Sequence, residues 1–246
     1  MYNYFEMFSL LTKNDLNKAI KTEFEAFCAD KGYNPNVFES RYAIVDNQIN
    51  KERIKIIHIS ENKIELNKRM QQTDGYRLTN VSPISMSIPN LIKVGKKENS
   101  IIINIENITT VTTIIGSKVY QIDTIEEGSN EILTKINVQE NSLSKAYEIC
   151  KNTTIYTSEG KDLQQEDTSY LEYIMPTLYN IVGEVRKLVN QAPEKIEKAY
   201  ITGTAAVINN IDLYFQEYAV NSKCEILKPF FLENTTMNTS FNDYIE

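Results

Sequence analysis

Apolar positions first recur at helical spacing after Thr12. Leu16, Ile20, Phe24 and Phe27 predict a helix running to about Ala29. Thr12 with Asp15 three residues on has the form of a capping box, Asp standing where Glu is usual. Gly32 and Pro35 punctuate its end. Tyr42 to Asp46 and Ile54 to Ser60 read as strands, and the density of Ile54, Ile56, Ile57 and Ile59 predicts burial along most of the second. Glu61 to Gln72 is again helical, with Gly75 as its C-terminal cap. Tyr76 to Ser82 reads as a strand, and Pro83 opens a helix reaching Ile92. The polar, Lys-rich stretch from Val94 to Ser100 reads as a linker.

The pattern then changes from 3.6-residue periods to runs of β-formers. Ser100 to Glu106, Val111 to Ile115 and Val119 to Ile125 predict strands, the last two joined as a hairpin through Gly116-Ser117. Two short helices follow, Glu131 to Asn141 and Ser142 to Lys151, and then a polar loop over 157–168. A long helix over about 165–191 carries Tyr170, Ile174, Leu178, Ile181, Val185 and Leu188 on one face, with a bend expected at Pro176. Ala199 to Thr202 is a strand, Gly203 starts a turn, Ile208 to Glu217 is a helix, and Glu225 to Leu227 is a last short strand. The reading is thus an α/β chain of two lobes joined near 94–100, the second built on a sheet of five strands, with no single sheet running through both.

Composition narrows the function more than the fold. The chain has 246 residues, enough for one large or two modest cores. A net charge of −7 with no basic run argues against a nucleic-acid-binding surface. No apolar stretch approaches the ~20 residues of a membrane helix, and the N-terminus lacks a secretory pattern. Cys28, Cys150 and Cys224 are scattered and odd in number, which fits a reducing compartment and burial better than disulfides. His58 is the only histidine, so a His-based metal cluster is excluded. In its apolar strand it reads as a core or edge residue and not as a catalyst. Glu126 and Glu127 read as a solvated loop pair.

Several segments, in order, carry a resemblance. Ile102 to Thr110 is followed by the hairpin that ends in Glu126 to Leu133. Then come Ser144 to Lys151, Ala199 to Leu213, and Cys224 to Phe230. This order resembles the second half of actin-like ATPases and, among them, the PilM family of type IV pilus inner-membrane platform proteins. Leu10 to Ile20 resembles the family's approach to an inserted small subdomain, and Gly75 to Val81 that subdomain's exit strand. The resemblance spans about 6–232. It implies an incomplete actin-like (ribonuclease-H-like) fold with an inserted small α/β subdomain. That subdomain takes 6–95 and the second actin-like half 98–232, with a helical upper part over about 130–195 and a tail over 233–246. Against the family pattern the chain is expected to lack the first phosphate loop and the final helix.

The resemblance also implies where a nucleotide site would lie. Actin-like sites hold ATP and Mg²⁺ with Asp-x-Gly turns, the Asp on metal-bound water and the Gly admitting backbone N–H groups to phosphate. Here the Asp position is Asn104 and the Gly position is Glu106, with the following Thr kept as Thr110. The adenosine helix, Ala-Glu-x-aliphatic-Lys in the family, can be set on Ala146 and Ile149, giving Tyr147 and Cys150 at the charged positions. A slip of one residue gives Glu148 and Lys151 instead. The last loop, usually two or three glycines, is Gly203-Thr204-Ala205-Ala206, and Asn210 replaces a later Gly. Asn104, Thr110, Glu148, Lys151, Gly203 and Thr204 are therefore the candidate residues of a degenerate nucleotide site. No cofactor and no catalytic residue are expected, ATP with Mg²⁺ being the alternative.

The implied function is a cytoplasmic scaffold of a pilus assembly platform, peripheral at the inner membrane. Its expected partners are the tail of a PilN-like membrane protein and other platform or motor proteins. The tail is expected at an apolar groove or strand edge of the first lobe. The alternatives are a working actin-like ATPase, of the division type or a kinase, and the related type II secretion platform protein.

Overall fold

The computed structural model describes residues 1–9, 11–50, 52–71, 82–91, 98–157 and 169–227, with the side chains of 46–50 excepted. The chain divides into two units, Met1–Ser82 and Pro83–Glu246.

The first unit is a three-stranded antiparallel sheet with a helix packed on one face. The strands are β1 (Tyr2–Phe8), β2 (Phe38–Asn50) and β3 (Arg53–Asn62), and β3 lies between the other two. Helix α1 (Lys13–Asp30) starts at Thr12, whose hydroxyl accepts from the Asp15 N–H as an N-cap does and donates to the Asp15 carboxylate, so that carboxylate takes the hydroxyl in place of the backbone N–H that a full capping box uses. Its buried stripe is Leu16, Ile20, Phe24 and Cys28. Leu16 and Ile20 meet Met7 of β1 and Ile56 of β3 in one apolar cluster. A short helix α2 (Lys63–Gln71) follows β3. The expected cap at Gly75 and strand over 76–82 fall almost wholly outside the described residues. Strand β1 is absent from the sequence reading. Asn3 and Glu6 interrupt its aromatic run, and its extended form depends on pairing with β3 from Tyr2↔Ile59 to Phe8↔Arg53.

The second unit holds a five-stranded sheet in the order β6-β5-β4-β7-β8. The strands are β4 (Ser100–Ile105), β5 (Thr109–Ile115), β6 (Lys118–Ile125), β7 (Lys198–Thr202) and β8 (Lys223–Ile226). The first three form an antiparallel meander, and β7 and β8 add in parallel. Alternation along β4 sends Ile101, Ile103 and Ile105 to one face and Ser100, Ile102 and Asn104 to the other. The first face joins one large core with α4 (Ser129–Glu140), α5 (Leu143–Asn152), α6 (Leu171–Gln191) and α7 (Ile211–Phe215). Ile174, Leu178, Ile181 and Val185 of α6 are fully buried there, so the predicted stripe is the one that packs.

Before β4, residues 84–91 form helix α3 (Ile84–Ser87) and one 3-10 turn (Ile88–Leu91). This shortens the helix expected over 83–92, since Pro89 cannot donate to a continuing α-helical ladder. Both pieces belong to the second unit, where Ile88 packs on Ile102, Ile114 and Tyr200. The units therefore divide between Ser82 and Pro83, ahead of the polar stretch 94–100, most of which lies outside the described residues. The tail over 233–246 lies outside them too.

Candidate functional site

Two turns and two helices meet at the ends of β4 and β7. The β4–β5 turn contains Glu106, Asn107 and Ile108. Gly128 starts α4 against it. The Gly128 N–H donates to the Glu131 carboxylate at 2.7 Å, which caps the helix, and the Ser129 N–H donates to the Glu106 carbonyl at 2.7 Å. A Cβ on Gly128 would stand 2.2 Å from the Glu106 carbonyl oxygen, so only glycine allows this approach.

The second turn follows β7. Gly203 has φ +94°, a conformation that side chains with Cβ rarely take, and a Cβ there would meet the Ile105 backbone at 2.6–2.8 Å. The chain then makes a 3-10 turn over Thr204–Val207. Asn210 sits in the left-handed region at φ 62°, which Asn tolerates, and starts α7. Its side chain donates to the Tyr156 carbonyl at 2.8 Å. Helix α7 is shorter than the 208–217 expected, because it passes into a π-helical turn at Gln216–Val220.

Between α4, α5 and the Gly203 loop lies a cleft of about 190 Å³. Its lining is Ser129, Ile132, Leu133, Tyr147, Cys150, Thr204, Ala205 and Ile208. None of these is charged. Of the two alignments of α5, the lining uses the residues of the first, Tyr147 and Cys150. Burial pushes the Cys150 thiol up to about 11, so it contributes no thiolate at neutral pH. Glu148 is exposed, and neither Glu148 nor Lys151 lines the cleft. Among the described residues no ion pair joins them.

The remaining candidates divide by sheet face. Asn104 pairs with Thr110 across β5 and with Thr202 across β7, all on the face opposite Ile103 and Ile105. Asn104 is buried, and among the described residues Thr110 Oγ1 has no hydrogen-bond partner. Thr204 is placed differently. Its hydroxyl donates to Glu106 Oε2 at 2.6 Å. The structure thus brings Gly203, Thr204 and Glu106 together at one end of the cleft. It leaves Asn104 and Thr110 on the other face and Glu148 and Lys151 outside. Sequence reasoning missed Gly128, whose signal is a lone glycine just before a helical pattern.

These residues do not fit a nucleotide with Mg²⁺. The cleft's lining offers no cation for phosphate and no carboxylate for metal-bound water. Glu106 sets a negative charge at the turn beside the cleft, which repels phosphate. Among the described residues, no group of three His, Cys, Asp or Glu is placed to hold a metal ion. Nor is any helix long and apolar enough to cross a membrane. In the first unit, His58 is buried against the rings of Phe5 and Phe24.

No protein-family model matches the sequence, and no curated protein does. Solved structures do match. The chain is similar to one in a PilM–PilN type IV pilus biogenesis complex, with a TM-score of 0.72 at 11% identity, over 94% of this chain and 67% of that one. The ethanolamine utilization protein EutJ from Carboxydothermus hydrogenoformans gives a TM-score of 0.41 at 12% identity, over 55% of this chain and 46% of that one. The archaeal actin homolog Ta0583 gives 0.41 at 14% identity, over 59% of this chain and 48% of that one. The chain spans about half the length of these last two. The expected actin-like fold of the PilM kind is borne out, on the first of these matches and on the five-stranded sheet order.

Proposed function

We propose that this chain is an assembly component of a type IV pilus platform, held at the cytoplasmic side of the inner membrane by the tail of a PilN-like membrane protein, and that it works without hydrolysing ATP. The observation that carries the reading is the fold correspondence over 94% of the chain with the PilM–PilN complex. Supporting it, the cleft beside the Gly203 loop is lined by uncharged residues, and the Thr204–Glu106 hydrogen bond lies at its end. A scaffold needs the fold and its surfaces. It does not need metal ligands or a phosphate cradle, and their loss leaves such a role intact.

The test is a pull-down from native membranes with the full-length gene product, read by mass spectrometry, followed by binding of the purified pair. The expected result is stoichiometric recovery of a membrane protein with a short cytoplasmic N-terminal tail, lost when that tail is removed. Recovery of no such protein, together with ATP turnover by the isolated chain, overturns the reading in favour of an actin-like ATPase.

A further inference from the structure

The second unit carries an aromatic cluster away from the cleft's lining. Tyr218, on the π-helical turn, meets Tyr214 at a ring-centroid separation of 5.0 Å and stands edge-on to Tyr156 at 6.0 Å. Tyr214 is buried and forms the floor, while Tyr218 is 49% and Tyr179 of α6 is 71% exposed. Tyr179 comes from α6, which packs against the π-helical turn, and burial first, then Tyr218 and Tyr179, raise the Tyr214 phenol. Burial raises that of Tyr156 as well, and the carboxylate of Glu217 adds to it, which puts a negative charge at the same place. Phe215, fully buried, anchors this segment in the core, so the exposed rings are not what holds it down. A π-helical turn is itself uncommon and costs helical hydrogen bonding, and such turns often sit at functional positions.

Elsewhere this chain covers aromatic faces with its own cations. Arg53 stands over Phe8 at 5.7 Å, Lys55 over Tyr4 at 5.0 Å and Lys198 over Tyr200 at 4.7 Å. Among the described residues, no Lys or Arg stands over Tyr179 or Tyr218. Clustered exposed tyrosines beside an exposed carboxylate suit a guanidinium. It can stack flat on the rings and pair with the acid at once, which a compact ammonium does less well. Tyrosine and arginine are also the residues that carry interface energy most often.

We propose that Tyr218, Tyr179, Tyr156 and Glu217 form a docking surface for arginine side chains presented by an extended basic segment of a protein partner. A basic segment complements the chain's net charge of −7, and the surface does not depend on the platform reading.

The test uses the full chain labelled at its tyrosine rings, titrated with acetyl-Gly-Arg-Gly-Arg-Gly-amide and with the citrulline peptide of the same shape and no charge. The arginine peptide is expected to shift the Tyr218 and Tyr179 ring signals saturably, and the citrulline peptide to leave them in place. Tyr218→Ala should weaken binding by about fivefold, and Tyr218→Phe should retain it. Glu217→Gln should weaken it by about twofold. Tyr179→Ala, at an exposed position, repeats the comparison if Tyr218→Ala lowers the melting temperature. Equal shifts with the citrulline peptide, or shifts confined to other tyrosines, overturn the proposal.

Discussion

The hydroxyl of Thr204 donates to a carboxylate oxygen of Glu106 at 2.6 Å, joining the turn after β7 to the turn after β4 across 98 positions of sequence. The contact is partly buried and charge-assisted, which makes it one of the stronger side-chain bonds the second unit has. Thr204→Val keeps the shape and removes the donor. It should cost about 1.5–3 kcal/mol of stability, whereas Thr204→Ser should restore most of it. Urea unfolding followed by circular dichroism reads both. Equal stability of the Val and Ser variants would sink the claim that this bond ties the two turns.

The glycines around the same turns make a prediction with opposite signs at different positions. Gly203→Ala and Gly128→Ala each push a methyl into backbone, at 2.6 Å and 2.2 Å. Each should destabilise by about 3 kcal/mol. Gly183→Ala, inside α6 with nothing within 4 Å of the added Cβ, should instead stabilise by about 0.5–1 kcal/mol. Differential scanning calorimetry on the three variants separates a special turn from a general intolerance of alanine.

The cysteine thiols should be silent in the folded chain. Burial pushes the thiol of Cys150 up to about 11 and that of Cys224 to about 12, and Cys28 is raised as well, burial first and Glu25 second. Thiolate is the reactive form. At pH 8 a chromogenic disulfide reagent is therefore expected to label none of the three until urea unfolds the protein, and then all three. Fast labelling of Cys150 in the native state would mean that the cleft opens far more readily than its packing suggests.

Much of the fold can be read locally, because long apolar stripes have one packing solution. Ile174, Leu178, Ile181 and Val185 announce α6 by spacing alone, and the β5–β6 hairpin is marked by Gly116-Ser117. The strand β1 cannot be read that way. Tyr2 to Phe8 becomes a strand only when β3 is there to pair with it. Nor can the π-helical turn, whose Asn221 N–H reaches back to the Gln216 carbonyl. The site divides along the same line. That Glu106 stands where the resemblance expects a glycine is visible in the sequence. That its side chain turns onto Thr204, and that Gly128 fills the space behind its carbonyl, are contacts between distant segments which no local pattern carries.

His58 makes the first unit acid-sensitive. Burial lowers its pKa from the ordinary 6.5, with the N-terminal ammonium adding to the effect. The folded state therefore favours the neutral ring. A depressed histidine contributes stability that is present above the unfolded value and lost as pH falls from there toward the folded value. Stability should drop by up to about 1.4 kcal/mol per pH unit below 6.5. His58→Leu should flatten that slope. Melting curves at pH 7.5, 6 and 5 for both proteins test it. An unchanged slope in the variant would assign the acid sensitivity to carboxylates instead.

The last prediction concerns ATP. An actin-like site gains its affinity from backbone N–H groups and charges that converge on phosphate and Mg²⁺. Here the cleft is lined by four branched aliphatic or alanine side chains, two hydroxyls, one phenol and one neutral thiol. Glu106 stands at its end, held by Thr204. Each lost charge-assisted contact to a ligand costs about 1.5–3 kcal/mol, or roughly one to two decades in affinity. Two such losses move a micromolar site by roughly two to four decades, to about 0.1–10 mM. Calorimetry with ATP and Mg²⁺ should accordingly give no heat of binding at ordinary concentrations. The pair Asn104→Asp with Glu106→Gly should restore little, because the first position lies on the opposite sheet face from the cleft and the second leaves the lining uncharged. Binding of the unaltered chain tighter than about 10 μM would show that the cleft opens into a true nucleotide site. The actin-like ATPase would then become the better account of this fold.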